Sequence, residues 1–190
     1  KIEETGLTPL STPNIHAHSW EEPVLKGLEH MTGDFWTILA ADDVIGSGYI
    51  SKNVAALRGW ADKKSIIGIQ SHITPVNQMG QAGYCIGHYY KSLAEFKKLC
   101  MVRCPVNTPS VFFKREAAQW YIPCAEKYLG AHDFFVYMHM AHYGKMIFPM
   151  PYDFGYNYNI HEGQATHKMH REPRNIDREI QDYWREVWEA

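Results

Sequence analysis

Phe35-Trp36-Thr37-Ile38-Leu39 is an unbroken apolar, aromatic and β-branched run, closed by Gly33 before it and by two adjacent carboxylates, Asp42 and Asp43, after it. Such a run predicts a buried strand, because a strand with one wet face would alternate polar and apolar positions. A buried strand needs elements to cover it, and the chain supplies them in alternation. Val24, Leu25, Leu28 and Met31 recur with helical spacing ahead of the run and close near Gly33. Ile50, Val54 and Leu57 give a second helical stripe up to Gly59, and Ser65 to Ile69 a second short strand. The expected class is α/β, a mixed sheet flanked by helices.

Further along, residues Ser71 to Gly87 are rich in Gly, Pro, Asn and Gln and read as a long loop, followed by a helix from about Ser92 to Leu99. A strand is expected at Ser110 to Phe113, a helix from Asp133 to Tyr143, and an extended stretch from Met146 to Ile160 broken by Pro149, Pro151 and Gly155. Ile176, Ile180, Tyr183, Trp184, Val187 and Trp188 then mark an amphipathic helix. Its apolar face either packs on its own domain or docks on a partner chain or membrane surface. The expected organisation is an irregular segment over 1–19, a domain over 20–170 and this helix over 171–190.

A formal charge of -2 and a sequence pI near 6.6 leave no basic excess for a nucleic-acid groove. No apolar run reaches the roughly 18 to 20 residues of a spanning helix, and Lys1 to Leu10 lacks a signal-peptide apolar core. Cys85, Cys100, Cys104 and Cys124 form no CxxC pair. Cys100 and Cys104 have the spacing of half a metal site, while four free or buried thiols fit a reducing, cytoplasmic compartment. Eleven histidines include His139 and His142 at i, i+3, a partial metal site, but no HExxH is present.

Two neighbouring carboxylates at the end of a buried strand are costly unless a cation or several donors compensate them. The carboxyl end of strands in an open α/β sheet is also where ligands bind. Asp42 and Asp43 are therefore candidates for a Mg or Mn site holding a diphosphate, although an Asp pair after a strand is more often a helix cap or turn. Trp36 and Trp120 read as core aromatics, with Tyr89, Tyr90 and Trp120 also candidates for contact with a bound acceptor.

The text around the pair carries more. Gly27 to Val44 resembles the "helix, T-G-D, apolar strand, D-x-D-D" signature of family 2 glycosyltransferases of the GT-A fold. Asn107 to Arg115 looks like that family's acceptor-side strand. Gly130-Ala131-His132-Asp133-Phe134-Phe135 with Gly144-Lys145 looks like its "E-D-x-x-L…G-K" helix, and Tyr156 to His161 its "Y-R-x-H" segment. The resemblance covers about residues 20 to 167, in the family's order.

It implies an inverting transferase moving a sugar from a nucleotide-sugar donor to a saccharide acceptor, with Mn or Mg as cofactor. Asp42 would ligate the metal with His161, Asp43 would brace the loop or touch the donor sugar, and Asp133 would be the general base. Asn107, Thr108 and Trp120 would lie on the acceptor side. Three departures stand out. Ala40 occupies the first aspartate position of D-x-D, and His132 replaces the acidic residue before the base, a cationic neighbour expected to lower the pKa of Asp133. The family's nucleoside-binding βα units, at roughly 30 residues each, do not fit ahead of Gly33, so the expected chain is an incomplete GT-A-like domain, its other half missing or supplied by a partner chain. The alternative function is a non-catalytic GT-A-like module that binds saccharide or protein.

Overall fold

The computed structural model describes residues 21–162 and 175–190; the 1–19 segment and the expected junction between domain and terminal helix lie outside the described residues. The elements run α1 (Glu21–Glu29), β1 (Phe35–Thr37), β2 (Val44–Ile45), α2 (Tyr49–Arg58), β3 (Ile66–Val76), α3 (Leu93–Cys100), β4 (Val111–Lys114), α4 (His132–His142), β5 (Met146–Asn159) and α5 (Ile176–Glu189), with short 3-10 turns between. The protein is α/β. Its strands form one mixed sheet in the order β1-β4-β3-β5-β2, antiparallel except for the parallel β3–β5 pair.

The alternating side chains of β4 show how the sheet divides two cores. Val111 and Phe113 face a large cluster beneath α3, α4 and α5, while Phe112 faces a smaller one beneath α2 with Tyr49, Leu57, Ile69, Ile73 and Tyr156. Gly68 permits close packing here: a Cβ at that position would lie 2.9 Å from the Phe112 carbonyl and 3.0 Å from Ile147 Cδ1. Trp36 and Phe113, directly opposite in the β1–β4 register, stack at 4.0 Å. Trp36 is thus a core aromatic, as its sequence context suggested.

Two sequence expectations need correction. The Phe35 run is an edge strand: it pairs with β4 alone among the described residues, its side chains are only partly buried, and Leu39 is 50% exposed. An unbroken apolar run does not distinguish a central strand from an edge strand whose faces are covered. The long loop from Ser71 is also shorter than read, because β3 continues to Val76 on the ladder that β5 offers. Pro151 fits within β5 because a register shift between Gln70 and His72 places the irregularity beside it. Beyond Val76 the chain turns on Asn77, whose side chain accepts from the Met79 and Gln81 amides, and returns through bridges at Ala82 and Ile86.

The terminal helix packs on its own domain. Asn175 caps it by accepting from Arg178 N–H, Ile180 and Trp184 are buried, and Gln181 donates to the Cys100 carbonyl at 3.0 Å. Trp184 lies against Phe135 and His142 of α4. Trp184→Ala should cost about 3 to 5 kcal/mol, read as a lower urea midpoint at unchanged slope. No helix among the described residues is long and apolar enough to cross a membrane.

Candidate functional site

Strand β1 ends at one edge of the sheet and β2 begins at the other, so the short segment 38–43 must carry the chain across. What fixes its far end is β5. Val44 and Ile45 pair with Asn157 and Tyr156, and Gly46 N–H donates to the Gly155 carbonyl at 2.7 Å. Gly155 has φ +97°, and its Cα lies 3.7 Å from where a Cβ on Gly46 would stand, so both glycines serve this close approach.

The crossing brings the Asp pair onto the end of β5. Asp43 is half-buried and accepts twice, from the Tyr156 hydroxyl at 2.7 Å and the Asn159 amide at 2.9 Å. Burial pushes its carboxyl above the ordinary carboxylate value against those two bonds. Asp43 therefore braces the loop, one of the two roles expected of it. Asp42 points outward. Its Oδ2 lies 2.7 Å from His161 Nε2, and the two side chains are 46% and 37% exposed. Asn159 adds a bond from its side-chain amide to the Asp42 carbonyl. Residues far apart in sequence thus meet as one acid–imidazole pair, with Tyr156 and Asn159 holding the carboxylate next to it.

A second polar group lies where β4 begins. Asp133, in the first turn of α4, accepts from the Thr108 hydroxyl at 2.5 Å and from the Phe134 amide at 2.8 Å. Tyr137 donates to the same Thr108 oxygen at 3.2 Å. Asn107 is held through its amide to Gln70 Oε1 at 2.8 Å and through its side chain to the Ile86 carbonyl, and His88 Nε2 lies 3.1 Å from its Oδ1. Gln70 in turn donates to Tyr90 and to the Pro105 carbonyl. The network fixes the 107–110 turn on the buried end of β3.

Burial pushes the Asp133 carboxyl above its usual range; the Thr108 bond, the helix amide and His132 all oppose this and do not overcome it. The expectation that His132 would set a lowered pKa is thereby corrected. The imidazole is itself fully buried and turns toward Ile122 O at 2.8 Å and Glu21 at 3.3 Å. A raised native pKa means that the folded state holds more protons than the unfolded one, so this group's contribution is full below the unfolded pKa and falls as pH rises through the native value. Asp133→Asn should accordingly be less destabilising, or more stabilising, at pH 8 than at pH 4, which denaturation curves at both pH values would read.

Trp120 is not brought to this place. It follows β4 at the opposite end of the sheet from Thr108 and packs on Tyr143 at 4.9 Å and near His139, about two turns along α4 from Asp133. His139 and His142 join the same aromatic cluster around Trp184. Tyr90 is buried, donating to the Ile147 carbonyl, while Tyr89 is 73% exposed. The four cysteines are free. Sequence reasoning quoted the 156–161 segment for its histidine but gave Tyr156 and Asn159 no role; their bonds to Asp43 follow from the β2–β5 pairing, which no local sequence signal announces.

A divalent ion suits the outer pair chemically. Two cis ligands of an octahedral ion at roughly 2.0 to 2.1 Å stand about 3 Å apart, so the 2.7 Å Asp42–His161 contact would open by only a few tenths of an ångström. One carboxylate and one imidazole leave most of the shell to a diphosphate and water. The sequence matches no protein-family model and no curated protein.

Proposed function

We propose that the protein is an inverting glycosyltransferase that uses a nucleotide-activated sugar, a divalent Mn or Mg ion and a saccharide acceptor. The observation carrying this is the pairing of Asp42 with His161 beside a braced Asp43: the two residues come from motifs far apart in the chain, and the resemblance assigns both to one ion, which requires them to be neighbours. Asp42 and His161 would hold the ion, which offsets charge on the departing diphosphate when bound. Asp133 supplies the base. Its carboxylate takes the proton of the acceptor hydroxyl, that oxygen forms the new bond to the anomeric carbon, and the bond from this carbon to the phosphate oxygen breaks with its electron pair leaving on the nucleoside diphosphate. Inversion follows from the single displacement. Thr108 orients the base by donating to one carboxylate oxygen, leaving Oδ1, which accepts from the Phe134 amide, to receive the proton. A carboxyl raised by burial is a stronger base than an exposed one, which suits the step.

A second reading, a non-catalytic saccharide-binding module, draws on Ala40 in place of an aspartate and on Asp43 being occupied by Tyr156 and Asn159. Incubating the full-length protein with a panel of nucleotide sugars, saccharides and Mn, and following anomeric protons by NMR, separates them. Transfer with inverted configuration is expected. Saccharide binding without any turnover of nucleotide sugar by folded protein would overturn the enzyme in favour of the module.

A further inference from the structure

On the other side of Asp133's helix start, three metal-ligating side chains from separate segments converge. Glu21 opens α1, Cys124 lies in the 121–125 segment, and His132 is the first residue of α4; one ligand atom from each lies within 4.8 Å of the others. Glu21 and His132 are buried, 5% and 0% exposed, while Cys124 is partly accessible. Glu21 Oε1 lies 3.3 Å from His132 Nε2 and accepts from the Cys124 amide at 3.1 Å, and the Cys124 sulfur is 3.7 Å from Oε2. Joining α1 to α4 through a buried carboxylate, thiol and imidazole is costly where apolar contacts would serve. Carboxylate, sulfur and imidazole together are instead a zinc donor set, and three protein ligands leave a fourth position for water.

We propose that Glu21, Cys124 and His132 form a Zn2+ site that clamps the start of α4 to the start of α1. Charge balances: carboxylate and thiolate offset the dication, and the imidazole is neutral. On binding, the thiol proton leaves to solvent, and the imidazole ligates through Nε2 with its proton on Nδ1, giving up the bond to the Ile122 carbonyl. Burial and then the Glu21 charge push the Cys124 thiol up from its ordinary value, a local field that a bound dication would reverse. Because His132 adjoins Asp133, the ion acts as a positioning device for the proposed base, but binding at this cluster does not depend on what Asp133 does.

The test titrates chelator-stripped full-length protein with Co2+ alone and with Zn2+ alone. About one equivalent of Co2+ should produce a thiolate-to-cobalt charge-transfer band in the near ultraviolet. That band should persist in Cys85→Ser and His161→Ala and vanish in Cys124→Ser, with Zn2+ affinity falling by more than about tenfold, since even loss of an outer-shell partner costs that much. Zn2+ should also raise the melting temperature of the wild type but not of Cys124→Ser. Absence of the band in folded wild-type protein overturns the site whatever the variants do. A band that follows Cys85, or Zn2+ binding that follows His161, overturns it equally. Absence of glycosyl transfer by wild-type protein that shows the cobalt band would instead count against the transferase reading alone.

Discussion

Asp133→Asn in the full-length protein should lower turnover by a factor on the order of 100 to 10000 while donor affinity stays nearly unchanged. The substitution keeps the shape and an oxygen for Thr108 to donate to, but removes the group that accepts the acceptor proton. Because Asp133 accepts the Phe134 amide rather than capping α4 from outside it, the helix should survive the change. Circular dichroism and saturation kinetics in both substrates check this. A variant with ordinary turnover would remove Asp133 from the chemistry. A loss confined to nucleotide-sugar binding would mean that Asp133 organises the donor side instead. The wild-type pH profile should lose activity on its acid limb at a pH above that of an ordinary carboxylate, because burial dominates the Asp133 environment, and that limb should disappear in Asp133→Asn.

Asp42→Asn should be nearly as damaging, by about 100-fold or more in turnover, and for a different reason. A neutral amide still fits beside His161, but it no longer contributes the negative charge that fixes a divalent ion, and groups that stabilise developing charge on a leaving oxygen are each worth roughly 3 to 4 kcal/mol. The kinetic signature is a higher Mn requirement, partly restored by raising the metal concentration. Asp42 is half-exposed with one side-chain partner, so stability should change little. Asp43→Asn should behave in the opposite manner: Tyr156 and the Asn159 amide lose charge-assisted partners, and the loop that ends at β2 loosens, costing about 1 to 3 kcal/mol. Equal sensitivity of metal affinity to both substitutions would show that Asp43 leaves its braces to share the ion.

Much of this arrangement was legible before the structure. The helical stripes at Val24, Ile50 and Ile176 correspond to α1, α2 and α5, and the Ser110 and Met146 stretches to β4 and β5. Local periodicity reports such elements because it records which side of each faces a core. Position within the sheet is a different matter. That the Phe35 strand is at an edge, or that β3 extends to Val76, depends on which strand offers a ladder, and no short window of sequence carries that information. The site divides in the same way. Asp42 stands out first from its paired carboxylates, and Asp133 and His161 from a resemblance over motifs, while Tyr156 and Asn159 emerge only once β2 and β5 are paired. Trp120 illustrates the converse: it lies between the acceptor-side strand and the base in sequence, but β4 carries it to the far end of the sheet. Glu21 stands 103 residues from Cys124, so no local spacing rule could have joined it to Cys124 and His132.

A crystal structure with Mn2+ and a nucleoside diphosphate, with data collected to give anomalous signal from manganese, is the most direct measurement. One ion should lie between the Asp42 carboxylate and His161 Nε2, each at a bonding distance, with diphosphate oxygens completing the shell and Asp43 still held by Tyr156 and Asn159. Manganese bound elsewhere, or Asp42 and His161 still hydrogen-bonded to each other with diphosphate present and no ion between them, would contradict a metal-dependent transferase built on this pair.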